Sequence, residues 1–215
     1  MRRCRVGLLA GIACLVASTP GLRSAAETLD DFEAYESGAI VGPGARSSPW
    51  CRVGVATLDN ITATSNGSRV ITGRQSGQYL VQWPARFGSA RYRFEQPRDL
   101  SAFRGFSVAL KSDVASSGTE AKLLISGAET IYVARASEPV SPAPHIYSTS
   151  FDAAAFERVD GSAAFADVLK SVETLGFNVL NAKPEGSDEQ SELIVIDDLM
   201  LLETDSQPPV TAEPE

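Results

Sequence analysis

The chain has 215 residues, 43% of them hydrophobic and 21% charged, with 27 acidic residues against 19 basic ones and a net charge of −8. That balance repels phosphate backbones and anionic lipid, and argues against nucleic-acid binding. One histidine and three cysteines leave little material for zinc or thiol chemistry.

The first residues have the layout of a secretory signal. Arg2, Arg3 and Arg5 form a basic head, residues 6–17 an apolar run, and Ser24-Ala25-Ala26 a small-residue site ahead of a cut before Glu27. The run is too short to span a membrane, and no second long apolar stretch follows. A secreted or periplasmic product lacking residues 1–26 is expected. Cys14 offers a lipoprotein anchor as a second option, although Gly11 stands where a large aliphatic residue is usual. The signal takes four basic residues and no acidic one, so the mature chain carries 15 basic and 27 acidic residues, a net charge of −12. Cys51 is then the sole cysteine, and without an internal disulfide the core must hold the fold.

From residue 27 onward the chain reads as short β segments separated by turn residues. Gly38, Gly42, Pro43 and Gly44 form an early loop; residues 53–58 and 61–64 are extended. Asn66-Gly67 is a hairpin signal with Val70-Ile71-Thr72 on its far side. After the turn at 73–77, Tyr79, Val81 and Trp83 alternate with Leu80 and Gln82. Tyr92 and Phe94 alternate with Arg91, Arg93 and Glu95, as on a half-buried strand. Strands follow at 106–111, 122–126 and 130–134. Pro139, Pro142 and Pro144 mark a loop before a strand at 146–151. Residues 165–172 suit one short helix or turn; 175–180 and 193–202 are the last strands. Residues 204–215 form an acidic, Pro-rich tail expected to be disordered. Many short strands with little helix predict an all-β domain over 27–203, an antiparallel β-sandwich of jelly-roll type.

Asp31-Phe32-Glu33, the segment from Asp99-Leu100-Ser101 to Phe106-Ser107-Val108, Val172-Glu173-Thr174-Leu175-Gly176-Phe177 and Ile196-Asp197-Asp198-Leu199 follow one another in a telling order. Together they resemble the galactose-binding-like jelly rolls. That group includes calcium-dependent carbohydrate-binding modules of secreted bacterial enzymes and the domain of the mitochondrial complex I intermediate-associated assembly factor. The chain departs from it at His145-Ile146-Tyr147, where members often carry a tryptophan.

The resemblance implies a structural calcium ion that ties the chain ends together, with side-chain oxygens from Glu33 and Asp197 and carbonyls from the 73–77 loop. Carboxylates at strand ends suit such a hard cation. Asp197 and Asp198 are strand neighbours and should face apart.

Sugars stack their C–H faces on rings, and Trp50, Trp83 and Tyr147 are the expected platforms, with Arg93, Gln82 and Asp113 as polar neighbours. Rings in alternating strands also serve as core: Tyr79 and Trp83 share a parity with Val81. No G-x-S-x-G or H-E-x-x-H pattern occurs, so a non-catalytic module is expected, a glycosidase carboxylate pair being the enzymatic alternative. Asn60-Ile61-Thr62 and Asn66-Gly67-Ser68 match the glycosylation sequon and equally suit loop chemistry. The expected partner of this monomer is a carbohydrate. The alternative is an extracellular protein held on the sandwich surface.

Overall fold

A computed structural model describes residues 26–41, 49–53, 61–82, 87–113, 119–180 and 191–203. Trp83, residues 1–25 of the signal segment and the tail at 204–215 lie outside the described residues. The strands are β1 (Glu27–Asp30), β2 (Trp50–Val53), β3 (Thr62–Thr64), β4 (Ser76–Gln82), β5 (Phe87–Arg98), β6 (Gly105–Ser112), β7 (Glu120–Gly127), β8 (Thr130–Ala134), β9 (Glu138–Pro139), β10 (His145–Ser150), β11 (Phe156–Asp160), β12 (Val172–Leu180) and β13 (Ser191–Leu202). A single described α-helix, α1 (Phe165–Leu169), precedes β12.

The strands form two antiparallel sheets. One runs β10-β6-β13-β4-β3, with β1 added on β13; the other runs β11-β8-β7-β12-β5-β2, with β9 added on β7. The fold is an all-β, jelly-roll-type sandwich. Its inner faces follow the pleat: Leu175, Phe177 and Val179 of β12 and Ile194 and Ile196 of β13 are fully buried in one core. Tyr79 of β4 meets Phe177 of β12 across the two sheets, with centroids 6.2 Å apart. In β13 the outward residues Leu193 and Val195 are buried too, which explains why this strand reads as a continuous apolar run rather than an alternation.

The hairpin signal at Asn66-Gly67 resolves differently from a two-residue turn. Asn66 Oδ1 caps a 3-10 turn at Gly67–Arg69 by accepting from Ser68 N. The chain then crosses the outside of the first sheet, where Lys111 Nζ donates to the carbonyls of Ser68 and Val70. Residues 70–72 are therefore a covering loop, not a strand, and β3 pairs with β4 around it. The helix is shorter than the sequence suggests. It buries Phe165, Val168 and Leu169 and has no side-chain cap, so packing rather than propensity holds it.

The two ends of the domain meet by strand pairing, Glu27 opposite Leu201 and Thr28 opposite Met200. Beyond β1 the chain turns through Phe32 at φ +58°. The Phe32 ring lies on Gly77, where an added Cβ would stand 2.4 Å from its Cε1. Gly77 is thus the floor of the Phe32 pocket.

Candidate functional site

The acids singled out by sequence converge on one loop. Glu33 Oε1 accepts from the amides of Arg74 at 2.5 Å and Gln75 at 2.9 Å, and Oε2 faces Arg74 Nε at 3.1 Å. These bonds hold the Glu33 carboxyl below its usual range, the Arg74 amide contributing most. Asp197 has no exposed surface. Its Oδ2 accepts from Thr72 N and Thr72 Oγ1, both at 3.0 Å, and from Ser76 Oγ at 2.8 Å, while Oδ1 accepts from Asp198 N. Burial pushes its carboxyl up to about 6, against the pull of these donors.

The pair therefore clamps the 72–76 loop to β13 and to the segment after β1. The loop turns N–H and O–H groups toward both acids, where a calcium shell needs oxygens. Among the described residues no three His, Cys, Asp or Glu stand together as a metal group. The donor set answers anions, and Glu33 with Asp197 does not fit the expected calcium site.

Two of the expected stacking platforms are core residues, which corrects the view of Trp50 and Tyr147 as exposed rings. Both are 2% exposed. Trp50 stacks on Phe32 at 5.5 Å and meets Tyr92 edge-on at 5.9 Å. Its Nε1 donates to Asp30 Oδ2 at 2.7 Å. Tyr147 sits against His145 at 4.9 Å, and its hydroxyl donates to the Pro139 carbonyl at 2.7 Å. A ring flanked by Ser-Pro or Pro-rich loops looks solvent-facing in sequence, yet each has an acceptor for its polar tip, which lets the ring enter the core.

Sequence reasoning assigned no role to Asp30 or Glu192. Of the neighbouring acids Asp30, Asp31 and Glu33, Asp30 is the one that turns inward. It accepts from Phe32 N, Tyr35 OH and Trp50 Nε1, and burial raises its carboxyl. Glu192 is fully buried between the sheets, where Ser112 Oγ and Thr119 Oγ1 donate to it, each at 2.5 Å. Tyr79 and Glu192 are diagonal neighbours on paired strands, since Ile194 faces Tyr79 and Val81 faces Glu192. The Tyr79 hydroxyl is buried without a hydrogen-bond partner among the described residues. The only signal for Glu192 was a charged residue directly before the apolar run of β13.

Among the described residues, surface hollows offer room for a ligand. One, of about 540 Å³, lies on the first sheet beside Arg69, Gln78 and Asp113. Its polar groups serve one another: Arg69 Nη1 donates to Gln78 Oε1, Gln78 Nε2 to Thr62 Oγ1, and Leu193 N to Asp113 Oδ1.

Another, of about 410 Å³, opens on the outer face of the second sheet. It arises from a break in the ladder. Arg93 pairs with Thr174 and Arg98 with Val172, so residues 94–97 arch opposite Glu173 alone. Arg91, Arg93, Phe94 and Pro97 of β5 line one side, and Glu173 and Thr174 of β12 with Ser126 of β7 the other. Thr174 and Ser126 are paired by register, and their hydroxyls share one hydrogen bond of 2.7 Å on the groove floor. Of the polar neighbours expected from sequence, Arg93 stands in this groove and Asp113 in the other hollow; the side chain of Gln82 lies outside the described residues.

Solved structures share this arrangement of strands. A family 11 carbohydrate-binding module of a Clostridium thermocellum cellulosomal cellulase superposes with a TM-score of 0.53 at 13% identity, covering 83% of this chain and 95% of that one. This is the fold of carbohydrate-binding modules. The family 11 module from Clostridium thermocellum in complex with a β-1,3-1,4-mixed-linked tetrasaccharide matches at 0.54 and 15% identity, over 83% of this chain and 95% of that one. An exo-β-agarase matches at 0.54 and 13% identity, over 84% of this chain and 26% of the enzyme. Likeness at these identities establishes the fold alone. No protein-family model and no curated sequence matches the chain.

Proposed function

We propose that the protein is a secreted, non-catalytic carbohydrate-binding module whose ligand lies in the groove over Ser126 and Thr174. The observation that carries this reading is the superposition of the sandwich on nearly the whole length of a carbohydrate-binding module. The groove supports it chemically. Two guanidinium groups and two hydroxyls face the opening beside one ring, Phe94. Hydrogen-bonding groups next to an apolar surface are what a sugar's hydroxyls and C–H face require. Glycoside hydrolysis needs two carboxyl groups across the scissile bond, and among the described residues the groove lining holds one, Glu173. Secretion rests on the basic head, apolar run and small-residue site of residues 1–26.

Affinity electrophoresis in gels containing individual polysaccharides tests this reading. At least one polysaccharide should slow the native protein. Thr174→Val, which keeps the side-chain shape and removes the hydroxyl, should weaken that interaction about fivefold, the worth of one hydrogen bond. A folded protein that no polysaccharide slows would refute the reading and turn attention to a protein partner.

A further inference from the structure

We propose that the groove selects anionic polysaccharide, carboxylated or sulfated, over neutral glycan; the inference rests on the glycan-binding reading above. The observation behind it is a local reversal of charge. The chain as a whole has a net charge of −8, yet among the described residues the groove lining sets Arg91 and Arg93 against one acid, Glu173. The two arginines are alternate residues of β5 and leave the same face of the sheet. Across from Arg93 on β12 stands Thr174, so no acidic side chain faces Arg93 directly in that register.

The arginines differ in how they are held. Arg91 Nε donates to Ser89 Oγ at 3.1 Å, which fixes the direction of its side chain. Arg93 is exposed and makes no ion pair among the described residues. Elsewhere Arg74, Arg98 and Arg135 each face a carboxylate, of Glu33, Glu27 and Glu157.

A guanidinium offers parallel N–H donors that match a carboxylate or sulfate at two points. A neutral sugar laid over Arg93 would strip water from the cation and return no charge, whereas an anionic one replaces the lost hydration. The Ser126 and Thr174 hydroxyls, already sharing one hydrogen bond, still have a donor or acceptor to offer a sugar hydroxyl. The protein's overall negative charge opposes polyanions, so non-specific attraction cannot imitate this selectivity.

The test is affinity electrophoresis of the full secreted chain with polygalacturonate, a sulfated galactan and an uncharged galactan, at low and at high salt. One anionic arm should bind about tenfold more tightly than the uncharged one, as expected for a charge-assisted bidentate contact. That preference should weaken in high salt and vanish in Arg93→Glu. Arg93→Gln, less disruptive to folding, should lose most of the preference at an unchanged melting temperature. The carboxylated and sulfated arms separate the two sources of negative charge. Equal affinity for charged and uncharged polymer, or anionic binding that Arg93→Glu leaves intact, overturns the inference while the glycan reading stands. Silence in every arm overturns both.

Discussion

Trp50→Phe separates a core tryptophan from a ligand platform. The substitution keeps a ring on Phe32 and beside Tyr92 and removes the Nε1 donor that stands 2.7 Å from Asp30 Oδ2. The carboxylate keeps two partners, Phe32 N and Tyr35 OH, each at 2.8 Å. Losing a buried hydrogen bond to a charged acceptor costs about 1.5–3 kcal/mol, and the smaller ring adds about 1 kcal/mol of lost packing. A total of about 3 kcal/mol lowers the melting temperature of a domain this size by roughly 6–12 °C.

The loss should also depend on pH. Burial already raises the Asp30 carboxyl, and the Trp50 bond opposes that rise. Without the bond the folded carboxyl climbs further. The penalty is therefore full near neutral pH and shrinks as pH falls through the folded value, where Asp30 takes up its proton and is no longer a buried charge. Thermal melts followed by far-UV circular dichroism at neutral and at mildly acidic pH measure both effects. Polysaccharide affinity of the folded variant should equal that of the wild type. A melting temperature within about 1 °C of wild type, well below the shift worked out from the lost bond, would refute the account, as would loss of glycan binding at unchanged stability.

Two further outcomes concern the acid clamps. Asp197 has a folded value of about 6 against its ordinary 3.8, so its favourable contribution is complete below the ordinary value and lost as pH rises through about 6. This difference amounts to about 3 kcal/mol for a fully shielded group and roughly half that after solvent screening. Asp197→Asn should flatten that part of the stability–pH curve, and an unchanged slope in urea unfolding would count against the buried carboxylate. Glu33→Ala releases the Arg74 and Gln75 amides and should lower the melting temperature by the same amount in calcium and in chelator. A loss seen only with calcium present would restore the ion to this site.

The sequence by itself determined the sandwich. Alternation in β12, the apolar runs 193–196 and 199–202 of β13 and the scarcity of helical periodicity encode local burial, and burial on one or both faces of a strand is a local pattern. The resemblance to galactose-binding-like jelly rolls also placed Glu33 and Asp197 near one another, as ligands of a calcium ion. Tertiary structure alone decided what partners these acids have. Asp197 meets Thr72 across 125 positions of chain and Trp50 meets Asp30 across 20, and no local pattern tells an amide donor from a metal ion at that range. The same holds for the groove. Arg93 was legible as a polar neighbour, but the opening exists because residues 94–97 arch where β5 and β12 lose register. Pairing register is a property of two strands together, so neither strand's own sequence contains it.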